Sequence, residues 1–267
     1  MVPRGTQAAA MTLGHGGMRK LVASLAVSLV LVGCATRPPP AEGPETWGGQ
    51  SFGAAPQPNP ALRQALIARA EQEWQFFGRQ TVVLKGNEES IPHVGAWEDE
   101  DGTYSSRVND YWRAVGKPRL DGMDCQAPWS AAFISWVMQT EGVPEHQFLA
   151  SALHGNYLAA IIEDAGYPGR YFVPRRIADY SPSPGDLICA SRGPNGPVDF
   201  DEHTEADALR RATAHCDIVA AKSGRTLESI GGNVRNSVSK STVELDWAGR
   251  LQPVPRRSWF LVLQNRL

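Results

Sequence analysis

Three polar residues of the sequence are of the types that a hydrolase uses to cleave an amide bond. Ser130 lies at the predicted start of a buried helix, His215 at the start of a predicted strand, and Asn233 after a pair of glycines. A hydroxyl nucleophile must lose its proton to a base, and another group must hold that base in the correct tautomer. These residues therefore represent a nucleophile, a general base and an orienting group, and the N–H groups of the helix start are available to an oxyanion. Taken singly, they are also typical of a helix cap, a packing residue at a strand end and a turn residue.

Hydrophobic spacing predicts the helices that would position Ser130. Residues 128–140 are apolar nearly all round a helical wheel, which is typical of a helix buried on most sides. Asn59 and Pro60 are a typical cap and first-turn residue, and helical spacing then continues until Gly78. Further helices are predicted over 108–115 and 151–165.

Short apolar runs separated by turn residues follow Gly166, and they predict an antiparallel sheet after a helical half, which is the α+β class. Residues 85–106 are predicted to be a polar loop. Its four consecutive acids, 98–101, lack the alternating ligand spacing of a calcium loop and indicate a solvated surface. Strands are predicted at 81–84, 171–173, 186–190, 216–221, 227–230, 242–245 and 259–263.

Composition excludes several classes of function. The chain has 267 residues, of which 42% are apolar, so it can bury a sizeable core. Its 26 basic and 28 acidic side chains give a net charge of −2, which provides no general basic field for nucleic acid.

An insertion, 191–212, contains four residues of types that can bind a metal: Asp199, Asp201, Glu202 and His203. No helix or strand spacing brings these side chains together, so neither a metal nor another cofactor is predicted.

The N-terminus, residues 1–33, has the features of a lipoprotein signal peptide. Arg19 and Lys20 precede twelve apolar or small residues, a run too short to span a membrane. The run ends in LVGC (31–34), which resembles the bacterial lipobox and implies lipidation of Cys34. Ala35 lies where inner-membrane lipoproteins typically have aspartate, so the resemblance implies an anchor in the outer membrane, facing the periplasm.

The chain after Cys34 begins with a proline-rich tether and contains three further cysteines. Residues 35–60 contain seven prolines and four glycines, and at ~3.1 Å per residue this segment reaches roughly 80 Å, enough to touch the cell wall. The chain thus divides into a signal peptide (1–33), a lipidated tether (34–60) and a folded domain (61–267). Outside the anchor, Cys125, Cys189 and Cys216 allow one disulfide and one free thiol, and the sequence does not choose the pair.

Four ordered motifs resemble those of the NlpC and CHAP papain-like peptidoglycan hydrolases. Within that group the chain is most similar to the bacterial domain-of-unknown-function family numbered 2272, over roughly residues 62–267. The resemblance implies a papain-like domain that binds peptidoglycan and cleaves an amide or peptide bond of its stem. The motifs are PWSAAFISW (128–136), PGDL (184–187), AHCDIV (214–219) and IGGN (230–233).

The chain departs from those hydrolases at the nucleophile, since Ser130 lies where they have cysteine. A serine hydroxyl is a weaker nucleophile than a thiol near neutral pH and depends wholly on its base. Two interpretations follow. Either Ser130 is the nucleophile, with His215 as base and Asn233 as orienting group, or the domain is a non-catalytic module that binds peptidoglycan or an unidentified envelope protein.

Two residues are alternatives for the predicted roles. Asp124 and Cys125 resemble the Asp-Cys pair at the nucleophile of NlpC enzymes, so Cys125 is an alternative nucleophile, although no helix follows it directly. Asp217 has the same side-chain parity as His215 along the strand, roughly 7 Å away from two rises of ~3.4 Å. It is therefore an alternative orienting group for the histidine.

Overall fold

A computed structural model describes residues 54–125, 127–193, 199–201 and 203–267. The predicted signal peptide, Cys34 and the tether as far as residue 53 lie outside these residues. Within them, no helix is both long enough and apolar enough to cross a bilayer. The described helices are α1 (Pro60–Phe76), α2 (Gly102–Ala114), α3 (Ser130–Thr140), α4 (His154–Glu163) and α5 (Ala206–Arg211). The described strands are β1 (Gln80–Lys85), β2 (Glu88–His93), β3 (Phe172–Arg176), β4 (Leu187–Ser191), β5 (Ala214–Ser223), β6 (Thr226–Val234), β7 (Ser237–Glu244) and β8 (Ser258–Asn265).

The eight strands form one sheet, in the order β2-β1-β7-β6-β5-β4-β8-β3. Neighbouring strands are antiparallel except for β1 and β7, which run parallel. The predicted α+β class, with a predominantly antiparallel sheet, is therefore confirmed.

Helices α1 and α3 pack on the centre of the sheet, with α3 lying against β5 and β6. Phe133 and Ile134 of α3 are fully buried together with Ile218 of β5 and Ile230 of β6. Residues next to these in the strands, such as Val219, belong to a second apolar cluster, because successive side chains of a strand point to opposite faces. The start of α3 is consequently held by the main core.

Helix α1 begins where the sequence predicts. The side chain of Asn59 accepts a hydrogen bond from the backbone N–H of Leu62 (3.0 Å), and Pro60 occupies the first helical position. These contacts confirm the predicted cap, because the first N–H groups of a helix have no partner within it.

The prediction of a polar loop over residues 85–106 is wrong, since this segment contains strand β2 and the start of α2. Strand β2 lies at the edge of the sheet and is mostly exposed, so its sequence has no apolar alternation. The side chain of Asp101 caps α2 by accepting from the N–H of Thr103 (2.6 Å). Helix α5, inside the insertion 191–212, was likewise not predicted.

The disulfide joins Cys189 of β4 to Cys216 of β5, which lie directly opposite each other in the antiparallel pair. This contact selects one pair from the three cysteines that the sequence left open. Cys125 is a free, exposed thiol. The bridge closes the segment that contains the insertion, with a sequence separation of 27 residues.

Loss of this bridge is expected to lower the free energy of unfolding by about 3 kcal/mol, because an unfolded chain without the cross-link gains loop entropy. Urea unfolding of the Cys189→Ala/Cys216→Ala double variant measures the loss. Cys125→Ala is the matched control and should be close to wild type. Equal stability of the double variant and the control would contradict the expectation.

Candidate active site

Ser130 is the first residue of α3, and the residue is 3% exposed. Its Oγ lies 2.7 Å from Nε2 of His154, within hydrogen-bond distance. His154 is the first residue of α4 and is 5% exposed. The structure therefore places a hydroxyl and an imidazole together where two buried helices begin. No side chain caps α3, so the N–H groups of its first turn remain suited to an oxyanion.

Burial determines the protonation of His154. The pKa of His154 is well below its ordinary value, chiefly because burial disfavours the charged ring and secondly because His215 is near. The ring is thus neutral at pH 7. In the tautomer that a base needs, Nδ1 has the proton and donates it to the hydroxyl of Tyr157, three residues along α4, while Nε2 accepts from Ser130.

His215 and Asp217 form a second buried pair on β5. Nε2 of His215 lies 2.6 Å from Oδ1 of Asp217, and both side chains are fully buried. Burial lowers the pKa of His215 despite the neighbouring carboxylate. Burial alone would raise the pKa of Asp217, but His215 and Arg257 hold it below its ordinary value. A neutral imidazole therefore donates its Nε2–H to an ionised carboxylate, and Nδ1 remains an acceptor with no hydrogen-bond partner among the described residues.

The first glycine of the predicted IGGN motif makes room for this pair. A Cβ atom on Gly231 would lie 1.7 Å from Oδ1 of Asp217 and 3.0 Å from Nε2 of His215. Ser229, two residues earlier on β6, donates a hydrogen bond to the other carboxylate oxygen of Asp217 (3.3 Å). Strand β6 thus leaves space for the carboxylate at Gly231, which has no side chain, and binds it through the hydroxyl of Ser229.

Asn233 does not contact His215 in the predicted way. It has a left-handed backbone (φ 55°) within an irregularity of β6. Among the described residues its side chain makes no hydrogen bond with His215, whose Nε2 is occupied by Asp217. Two other hydrogen bonds occur in place of those predicted for Ser130, His215 and Asn233. Ser130 is paired with His154, and His215 is paired with Asp217, which lies on the same side of β5.

The two pairs adjoin each other. The ring centroids of His154 and His215 are 5.6 Å apart, so Ser130, His154, His215 and Asp217 make one buried group, called here the histidine cluster. A pocket of about 500 Å³ is lined by Ser130 and His154 and adjoins one side of the cluster.

Cys125 is in a poor environment for a nucleophile. It follows a 3₁₀ turn, Gly122–Asp124, and has a left-handed backbone. Although the residue is exposed, desolvation of its sulfur and the acidic side chains of Asp99 and Glu98 raise the pKa of the thiol to about 12. The thiol is therefore protonated at neutral pH, whereas a nucleophilic cysteine must be a thiolate.

Glu98 departs from the predicted solvated acidic loop, since it is buried and accepts a hydrogen bond from the indole N–H of Trp129. Trp129 directly precedes Ser130, so this contact fixes the start of α3. Burial raises the pKa of Glu98 to about 7. The prediction that all four acids are solvated is wrong at Glu98, because a buried acid next to three exposed ones has no distinguishing sequence pattern.

Glu98 is expected to destabilise the protein as pH rises. Its folded pKa exceeds its unfolded value, so the folded state binds more protons between about pH 4.5 and 7, and stability falls across that window. Glu98→Gln keeps an acceptor for Trp129 and removes the titration. We expect this variant to exceed wild type by up to about 3 kcal/mol in urea unfolding at pH 8, and to differ little at pH 4.5. An equal difference at both pH values would contradict this expectation.

No group of three or more histidine, cysteine, aspartate or glutamate residues suited to a metal ion occurs in the described part of the chain. In the insertion, Asp201 accepts hydrogen bonds from the backbone N–H of His203 (2.9 Å) and from the Thr204 hydroxyl (3.1 Å). These contacts close a local turn. Glu202 lies outside the described residues.

His154 is the site residue that sequence reasoning missed. Its only signal was a histidine and a tyrosine three residues apart at the start of a predicted helix, which lets both side chains lie on one face. That pattern does not indicate a partner 24 residues away in the sequence.

Comparison with known proteins identifies a family and no individual relative. No curated protein and no solved structure matches the chain. The model of a bacterial family, described as "Uncharacterized protein conserved in bacteria (DUF2272)", matches residues 94–265. The matched segment includes all four residues of the histidine cluster, and Asn233. Because the match extends over more than half of the chain, the protein belongs to the DUF2272 family.

Proposed function

We propose that this protein is a serine-dependent hydrolase of amide or peptide bonds in the peptidoglycan stem. The observation that supports this most directly is the 2.7 Å contact between Oγ of Ser130 and Nε2 of His154, at the uncapped start of α3 and beside a pocket. A hydroxyl next to a neutral, buried imidazole is the arrangement that nucleophilic catalysis requires.

The proposed reaction has two steps. The oxygen of Ser130 attacks the scissile carbonyl carbon, its proton moves to Nε2 of His154, and the first N–H groups of α3 receive the oxyanion. The carbon–nitrogen bond then breaks as Nε2 returns the proton to the leaving amine. Water attacks the resulting ester in the second step, and His154 takes a proton from this water. The bond between the carbonyl carbon and the Ser130 oxygen then breaks as Nε2 gives that proton to the oxygen, which releases the acid and restores Ser130.

His215 has a separate role in this proposal. Asp217 holds its Nε2–H, so the free Nδ1 is a fixed acceptor next to the base. An N–H group of the substrate peptide is a suitable donor to it. His215 is therefore proposed as a positioning residue, whereas the sequence predicted it as the base.

The substrate and the location are proposed from the sequence motifs. The four motifs resemble those of papain-like peptidoglycan hydrolases, and the resemblance implies a helical half that packs on an antiparallel sheet. The packing of α3 on β5 and β6 agrees with that arrangement. A lipid on Cys34 and the proline-rich tether would hold the domain at the periplasmic face of the outer membrane, within reach of the cell wall.

A non-catalytic module is the second candidate, and one observation favours it. Ser130 and His154 are only 3% and 5% exposed as residues, and His215 is fully buried, so a substrate has little access to them. In that case the same surface would bind peptidoglycan or an envelope protein without cleaving it.

Digestion of purified peptidoglycan by the full chain, with fragments resolved by mass spectrometry, tests the proposal. We expect the same fragments from wild type and Cys125→Ala, and none from Ser130→Ala. Loss of fragments with Cys125→Ala alone would move the nucleophile to Cys125. Absence of fragments from the folded wild type, together with co-sedimentation with peptidoglycan, would favour the binding module.

A further inference from the structure

A second pocket, of about 340 Å³, lies at the end of the sheet where β4 and β6 end and β5 and β8 begin. His215 and Asn233 line it, so it adjoins the histidine cluster. Arg192 lines both this pocket and the one that contains Ser130. A ligand that occupies both pockets would therefore pass Arg192. The second pocket is called here the arginine pocket.

Positive charge dominates the arginine pocket. Arg192, Arg235, Arg256 and Arg257 line it, against the single acid Glu89. Four arginines and one glutamate give a formal lining charge of +3 (4 − 1). Glu89 is paired with Arg235 at 2.6 Å. Across the described ranges, the guanidinium groups of the other three arginines have no ion pair, so most of the charge is not neutralised within the protein.

The positive charges of the arginine pocket repel one another. The pKa of Arg192 is lowered first by desolvation of its guanidinium and then by the positive charges of Arg257 and Arg235, with only Asp217 acting in the other direction. Like charges gathered in a partly desolvated pocket raise the free energy of the empty protein. A bound anion would remove this cost.

A buried polar atom also belongs to this pocket. His215 is one of its lining residues, and Nδ1 of His215 is buried without a hydrogen-bond partner among the described residues. A buried acceptor that lacks a partner costs free energy, and a ligand with an N–H group supplies the missing donor. The pocket thus offers cationic donors for an anion and one neutral acceptor beside them.

We propose that the arginine pocket binds a free carboxylate of the substrate peptide while the scissile carbonyl lies at Ser130. The planar guanidinium group matches a carboxylate with two parallel hydrogen bonds. An acidic peptide has carboxylates within a few bonds of an amide, and it has the N–H group that His215 would accept. The position of the scissile bond rests on the proposed function, but binding in the arginine pocket can be measured without any cleavage.

Calorimetric titration of the full-length Ser130→Ala protein, which cannot turn over substrate by the proposed reaction, tests this. The probes are the alanyl-γ-glutamyl-diaminopimelate tripeptide, the same peptide with its carboxylates converted to amides, and inorganic phosphate. We expect the acidic peptide to bind at least about tenfold more tightly than the amidated one. Arg257→Gln and Arg256→Gln, added to the Ser130→Ala background, should each bring the ratio of dissociation constants towards one.

Arg119→Gln is the matched control, since Arg119 is exposed and lines neither pocket. It should leave the preference for the acidic peptide unchanged. Equal binding of the two peptides, or a preference that survives both arginine substitutions, would overturn the inference. Binding of phosphate without binding of the acidic peptide would also overturn it and would assign the pocket to a phosphate-bearing ligand.

Failure of the inference can be told apart from failure of the proposed function. A preference for the acidic peptide in Ser130→Ala, without cleavage of peptidoglycan by wild type, would support carboxylate binding in the arginine pocket and contradict the hydrolase function. Cleavage by wild type without that preference would support the hydrolase function and contradict carboxylate binding in the arginine pocket.

Discussion

Replacing His154 with glutamine is expected to lower the rate of peptidoglycan cleavage by about 10²–10⁴-fold, the usual contribution of a general base. Glutamine has nearly the size of histidine and keeps a polar group next to Ser130, but it cannot accept and return a proton. The initial rate of fragment release by the full chain measures the effect. His215→Gln, in the neighbouring pair, is the comparison, and it should raise KM more than it lowers kcat.

The pH profile distinguishes loss of a base from loss of structure. Because burial places the pKa of His154 well below its ordinary value, the wild-type rate should be level across neutral pH and fall only in acid. Tyr157→Phe removes the hydroxyl on Nδ1 and should shift this acid limb while retaining most of the rate. Full activity in His154→Gln, with none in His215→Gln, would instead make His215 the base.

Gly231→Ala is expected to lower the free energy of unfolding by about 4 kcal/mol. The added methyl group would overlap Oδ1 of Asp217 at 1.7 Å and approach Nε2 of His215 at 3.0 Å, so the variant combines overpacking with the breaking of a buried pair. Urea unfolding measures the loss. The same variant should also lose its preference for the acidic peptide, since His215 lines the arginine pocket.

Gly166→Ala is the control for this substitution, because nothing lies within 4 Å of the Cβ that it would add. Its stability should remain within about 0.5 kcal/mol of wild type. If the two alanine variants unfolded at the same urea concentration, the packing of Asp217 against Gly231 would not be what maintains the pair.

Much of the fold was predictable from local patterns. Helix α1 has a side-chain cap and a first-turn proline that are visible in the sequence, and α3 is so apolar that burial was the natural expectation. Strand β2 was missed because an exposed edge strand needs no apolar face. Patterns in sequence report burial, and elements that bury little are therefore hard to recognise.

The candidate site was predictable only in part, because it depends on contacts between distant segments. Ser130 and His215 were identified through motifs, and Asp217 through its strand parity. His154 comes from the start of α4, and nothing local indicates that its imidazole would meet Ser130. The partner of His215 was likewise decided by the room that Gly231 leaves on the adjacent strand, a property of the packed sheet.

The bridge between Cys189 and Cys216 has a consequence for the integrity of the chain. Any single cut of the backbone between these residues, including one in the insertion, would leave two fragments that are still covalently joined. Both fragments would also remain paired within the same sheet, one through β4 and the other through β5. A proteolysed molecule would therefore migrate as one species in denaturing electrophoresis until it is reduced. In the folded state His215 would remain next to β4, although the cut lies between them in the sequence.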